Sequence, residues 1–292
     1  MCDFDAHVHP PVGIWSRRGL KVLRHVRSSG AQQARHSAAN GRPNLLLCAQ
    51  RDKADGYGLR VRHPSQGTTS PITTVDEYDG SSVVRVSATQ LGTRYSAYQA
   101  KRIVDQWCDF LAAGPTPITD LAFTSRTPKR LFASLQGQTQ LRILGVKWGD
   151  YDDLSPLKGM RELTDLWLGG ASSVKSLAPL ATLPQLRELA VESLRDVHDL
   201  SPLGSLTHLR ALELGGNWMS PRIAHADSVG FLRDLPNLES LVLHTMIVDD
   251  LDYSPLLSLD SLKEVRVMRA RGMSPSHDEL CAALPALEPL PK

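Results

Sequence analysis

The chain is poor in the features that usually give a function away. Its four cysteines, Cys2, Cys48, Cys108 and Cys281, lie far apart with no C-x-x-C pair. That speaks against a disulfide framework and for free thiols in a reducing compartment. No apolar run approaches the length of a membrane span, and the N-terminus lacks the apolar core of a signal peptide, so a cytoplasmic setting is expected. There is no Gly-rich phosphate loop and no nucleophile elbow. No Ser/His/Asp set stands in a recognisable context. The enzyme question stays open, with a non-enzyme favoured, and no catalytic residues, no metal site and no cofactor are expected.

What is present in quantity is leucine at regular intervals. The phrase Leu-x-x-Leu-x-Leu recurs as LRILGV (141–146), LTDLWL (163–168), LRELAV (186–191), LRALEL (209–214), LESLVL (238–243) and LKEVRV (262–267). A degenerate copy, ITDLAF (118–123), precedes them, and the starts are separated by 23, 22, 23, 23, 29 and 24 residues. Positions 4 and 6 alternate as in a strand with one buried face. Between phrases stand Asp-Leu-Ser-Pro-Leu (153–157, 199–203), Ser-Leu-Ala-Pro-Leu (176–180) and Tyr-Ser-Pro-Leu (253–256). Ser before Pro reads as a short helix start, with Ser as the cap and Pro in the first helical position. One unit alone cannot bury its leucines, but stacked units share a continuous core.

This pattern resembles the leucine-rich repeat family, in its bacterial internalin-like form with D-L-S-P-L segments, over Ile118 to about Leu287. The resemblance implies an α/β solenoid, with a curved parallel sheet on the concave side and short helices on the convex side. It also implies a surface for protein–protein interaction. The family places Asn three residues after position 6 to bond the turn backbone. Here only Asn217 does so, while Gly149, Ala171, Leu194, Met246 and Ala270 hold the other slots, so looser turns are expected. Internalins are exported and attached to the cell wall, and this sequence shows neither signal.

Charge divides the chain. Residues 1–113 balance to +6 and residues 114–292 to −4. Residues 1–42 read as a flexible basic arm, with Arg17, Arg18, Lys21, Arg24, Arg27, Arg35 and Arg42 against Asp3 and Asp5. Such an arm can contact nucleic acid through its phosphates. His7-Val-His9 resembles the first metal motif of amidohydrolase-type barrels, but the repeats leave no barrel to supply the remaining ligands. Residues 43–113 read as a small β-rich region ending in a capping helix, and residues 114–292 as the solenoid with its C-terminal cap. Strand-like runs at 45–49, 59–62 and 83–88 suggest a small antiparallel sheet. Tyr95–Ala113 reads as the capping helix, with Trp107 and Phe110 against the first repeat. Ser276–Leu284 reads as a short closing helix.

The residues flanking positions 4 and 6 should line the concave face. They form columns whose members sit about 5 Å apart, the spacing of neighbouring strands. Asp165, Glu188, Glu192 and Glu213 then cluster, and Trp167 stands among the small residues Gly145, Gly169, Ala190 and Gly215. An exposed Trp in such a place is a typical interface anchor. The long fifth interval adds a loop at 215–226 carrying Trp218, and Arg266 lies on the last strand. The expected partner-binding set is Asp165, Trp167, Glu188, Glu192, Glu213, Trp218 and Arg266. The expected role is a protein-binding scaffold for a partner with a basic segment. The alternative is that residues 1–113 form an enzymatic or nucleic-acid-binding module that the repeats deliver to its target.

Overall fold

The computed structural model describes residues 69–216 and 222–284. These residues all belong to the unit Gln50–Lys292. Each leucine phrase forms a strand, and among the described residues the strands pair in parallel. In chain order they are β1 (Val83–Val86), β2 (Asp120–Thr127), β3 (Ile143–Gly149), β4 (Asp165–Leu168), β5 (Glu188–Glu192), β6 (Ala211–Gly215), β7 (Ala224–Ala226), β8 (Ser240–His244), β9 (Met246–Val248) and β10 (Glu264–Val267). Eight of them form one sheet in the order β1-β2-β3-β4-β5-β6-β8-β10, and β7 pairs with β9 in a second, two-stranded ladder. β1 was expected in an antiparallel sheet. Instead it adds to the repeat sheet in parallel, with Val84 opposite Leu121 and Val86 opposite Phe123. The other two expected strand runs lie outside the described residues.

The register keeps equivalent repeat positions side by side: Leu144, Leu166, Leu189, Leu212, Leu241 and Val265 form one continuous row. Leu163, Leu166 and Leu168 of one repeat and Leu186, Leu189 and Val191 of the next are all fully buried. Each such side chain contributes about 1.5–3 kcal/mol on leaving water. The Ser-Pro segments form short 3-10 turns at Ser155–Leu157, Ala178–Thr182, Ser201–Ser205 and Ser254–Ser258, with a fifth at Gly230–Asp234. Neighbouring turns stack on one another, so the leucine core lies between a layer of strands and a layer of turns.

The cap of these turns differs from the sequence expectation. Pro occupies the second helical position, and the capping group comes from two residues before the first turn residue. Asp153, Asp199 and Asp252 accept the amide of Ser155, Ser201 and Ser254 at 2.8, 2.9 and 2.9 Å. Ser176 and Ser228 do the same for Ala178 and Gly230, both at 3.1 Å. Hydrogen bonds from the side chains of Ser155, Ser201 and Ser254, and then from their amides, hold the three aspartates below the usual carboxylate range. Two of the slots that lack Asn are tied by backbone. The amides of Ala171 and Leu194 donate to the carbonyls of Glu192 and Gly215 in the next repeat, at 2.8 and 3.0 Å. Their side chains enter the core, so these turns are tied to their neighbours.

The helix α1 (Ala97–Ala112) connects β1 to β2. A capping box joins Ser96 and Gln99, and Ile103, Val104, Trp107 and Leu111 are buried along one face. The Trp107 indole N–H donates to the Thr73 carbonyl at 2.9 Å. Its ring meets Phe110 edge-on at 5.7 Å, and Phe110 meets Tyr78 at 5.3 Å. The fully buried Gln138 amide donates to the carbonyls of Leu111 and Gly114 at the end of α1. A short α2 (Lys129–Ala133) follows β2. At the other end, α3 (His277–Ala283) starts at Ser276, whose hydroxyl accepts the Glu279 amide at 3.3 Å.

Candidate functional site: the open face of the sheet

Side chains that alternate with the core leucines point to the opposite face of the strands, and register decides which of them meet. Asp165 on β4 lies directly opposite Glu188 on β5, and Trp167 lies opposite Ala190. One strand further, Ala190 faces Glu213 and Glu192 faces Gly215, which in turn faces His244 on β8. The structure therefore brings Asp165, Trp167, Glu188, Glu192 and Glu213 onto three adjacent strands. Arg266 is set apart. It lies on β10 beyond Val242, with a guanidinium nitrogen 3.5 Å from the Glu264 carboxylate. Trp218 falls outside the described residues. Of the same loop, Arg222 is exposed and His225 belongs to β7.

Trp167 is not the exposed anchor expected. It is only 4% exposed and forms a small apolar cluster with Ala190 and Ala211. Its ring lies against the backbone of Gly169: a Cβ there would meet the ring atoms Cη2 and Cζ3 at 2.5 and 2.7 Å and the Lys147 carbonyl at 2.1 Å. The glycine admits the indole, so the small residues hold Trp167 flat on the sheet rather than leaving a vacant hollow. A buried Trp on a sheet otherwise flanked by carboxylates makes an apolar floor.

Around that floor, electrostatics is shaped by burial. Asp165 accepts the Thr164 hydroxyl at 2.6 Å and is half-buried. Glu192 is pushed up to about 7, first by burial and then by the Glu213 carboxylate. His244, in the same column as Glu192, was not singled out from sequence. Its Nε2 lies 3.4 Å from Glu213 Oε1, and its Nδ1 lies 3.1 Å from the Thr245 hydroxyl. Burial lowers the pKa of this imidazole and favours its neutral form. It rests over Gly215, where a Cβ would meet its Nδ1 at 3.0 Å. Tyr151, also unforeseen, donates its hydroxyl to the Gly169 carbonyl at 2.7 Å and stacks on Phe132 at 4.6 Å. Burial raises its pKa, and Glu192 adds to the rise. The signal for His244 was its place in the column after Glu192; Tyr151 lies outside any strand column and left none.

The parallel sheet, the leucine rows and the stacked 3-10 turns together define a leucine-rich-repeat solenoid. No family model and no curated protein matches the chain. Among solved structures it is similar to an internalin from Listeria monocytogenes, with 24% identity and a TM-score of 0.37, covering 51% of this chain and 48% of that one. It is also similar to internalin C2 from the same organism, with 27% identity and a TM-score of 0.33, covering 45% of this chain and 63% of that one. The chain thus spans about half of one internalin and under two thirds of the other. No helix among the described residues is long and apolar enough to cross a membrane.

Proposed function

We propose that the chain is a non-enzymatic scaffold whose open sheet face binds a basic, arginine-bearing segment of a protein partner. The observation that supports this most directly is Glu192. Its charged form is opposed by burial and by a second carboxylate, Glu213, so an incoming cation would relieve both. Glu188, at the other end of Glu192's own strand, and Asp165, opposite Glu188 on the neighbouring strand, extend the same negative field. Arginine suits the place better than lysine, because its planar guanidinium pairs with a carboxylate and stacks on aromatic or flat surfaces. Trp167 serves as the apolar floor under the stem of such a side chain. Arg266, on the edge strand β10, extends the surface in this reading, and Trp218, outside the described residues, is kept in the proposed set. The free thiols Cys108 and Cys281 suit a reducing, cytoplasmic setting. Residues 1–42 as an arm, 43–113 as the capping region and 114–292 as the solenoid complete the proposed organisation.

The test uses arginine-rich, lysine-rich and glutamate-rich peptides of equal length, with binding read by fluorescence anisotropy at low and physiological salt. The parent chain should prefer the arginine peptide. Charge reversal at Glu188 and Glu192 should slow association and flatten its salt dependence. Trp167→Ala should weaken the complex by about 2 kcal/mol in a variant checked for folding. Equal binding of the arginine peptide to the parent and to the doubly reversed chain sinks the proposal. A second reading rests on the +6 balance of residues 1–113, which suits an enzymatic or nucleic-acid-binding segment delivered by the repeats. It requires steeply salt-dependent nucleic-acid binding by the intact chain.

A further inference from the structure

We infer that His198, Asp227 and Asp249 form a binding site for a divalent transition-metal ion of the zinc class. Their ligand atoms, one imidazole nitrogen and two carboxylate oxygens, all lie within 4.8 Å of one another. The three come from three successive repeats, each from the stretch that leads into a 3-10 turn: Ser201–Ser205 after His198, Gly230–Asp234 after Asp227 and Ser254–Ser258 after Asp249. They lie past the ends of β5, β7 and β9 rather than on the open face of the main sheet.

Backbone hydrogen bonds hold the three in place. The Asp227 amide donates to the His198 carbonyl at 2.9 Å, the Asp249 amide to the Ala226 carbonyl at 2.7 Å, and the Asp250 amide to the Asp227 carbonyl at 3.3 Å. The ladder that pairs Ala226 with Val248 brings Asp227 and Asp249 side by side just beyond its end. This second ladder joins the repeat with the long interval, which carries β7, to the next repeat, which carries β9, so the site lies beside that irregularity. His225 adds a support. Its Nδ1 lies 2.6 Å from Asp249 Oδ1, and in the tautomer that donates there it orients the carboxylate and leaves the other oxygen for an ion, as ring N–H groups do around bound metals.

The donor set selects the class of ion. Calcium and magnesium take oxygen ligands, whereas an imidazole nitrogen with two carboxylates suits zinc, cobalt, nickel or manganese. Metal–ligand distances of about 2.0–2.2 Å place tetrahedral donor atoms roughly 3.4 Å apart. All three side chains are exposed, so small rotations close the remaining gap. With a neutral imidazole, the two carboxylates match the charge of a divalent ion, and water completes the coordination. The ion would join three consecutive repeats, and because only the folded chain presents this set, binding stabilises the fold.

The experiment is a calorimetric titration of ZnCl2 into the full chain after treatment with chelator and desalting, repeated with CaCl2. One equivalent of zinc is expected to bind, with calcium much weaker, and zinc should raise the thermal midpoint. Loss of a supporting second-shell group costs on the order of 10–100-fold in metal affinity, so Asp227→Asn, Asp249→Asn and His198→Ala should each lose at least that much. His208→Ala, elsewhere on the surface, should bind as the parent does. Cobalt binding without a thiolate charge-transfer band would keep the ion away from Cys281, which lies 3.4 Å from His277. No zinc binding by the parent, unchanged binding by the Asp227/Asp249 double variant, or equal affinity for calcium and zinc would each overturn the proposal.

Discussion

Glu192 shows how a single residue takes its chemistry from its neighbours. Its pKa of about 7 stands above the ordinary value of 4.5, so the folded chain holds this proton more tightly than the unfolded chain does. The stability that this contributes is fully present below the unfolded value and is lost as pH rises through about 7. Glu192→Gln removes the titration. Against the parent, that variant should gain in thermal midpoint on going from about pH 5 to about pH 8, as followed by circular dichroism; parallel pH profiles would refute the assignment. Asp153, Asp199 and Asp252 have the opposite sign, because hydrogen bonds to the turn lower their pKa values. Their contribution is present above the unfolded carboxylate value and is lost as pH falls through the acid range.

Among the elements, α1 has the clearest structural task. A stack of repeats has a first member whose core side would face water, and we propose that α1, which buries one face in the core, covers it. Trp107 combines full burial with a satisfied indole N–H, so its loss removes both packing and a partner for the Thr73 carbonyl. Trp107→Ala should cost about 3–5 kcal/mol, read as a shift in the urea midpoint with an unchanged slope. A shift near zero would mean that the helix is not what closes the stack. The end of α1 illustrates a different device: Gln138, from the turn after α2, reaches back to the carbonyls at 111 and 114. A glutamine at that spacing carries no sequence signature, which is why this cap could not be read in advance.

For the molecule as a whole, the continuous core decides how it unfolds. A repeat touches mainly its neighbours, yet the rows of leucine run without interruption from Leu121 on β2 to Val265 on β10. Leu189→Ala, in the middle of the sheet, should cost about 2–5 kcal/mol and lower one transition that circular dichroism and tryptophan fluorescence report together. Two separated transitions in that variant would show that coupling between repeats is weaker than the shared core requires.

The strand register, the two layers and the position of the core were legible in sequence, because position 4 and position 6 leucines recur at nearly constant intervals and only stacking can bury them. Asp165, Glu188, Glu192 and Glu213 were legible for the same reason: a fixed register turns repeat position into spatial neighbourhood. The tertiary structure decided what register leaves open. Trp167 could stand up from the sheet or lie on it, and the bare backbone of Gly169 let it lie flat. Val83–Val86 had the composition of a strand in any sheet, and only the free edge of β2 made it the parallel first member of this one. The side chain two residues before each turn, Asp in three turns and Ser in two, caps it, because from there it reaches the first amide. Burial, which no spacing encodes, set the proton affinity of Glu192 and His244, since it depends on everything packed around a side chain at once.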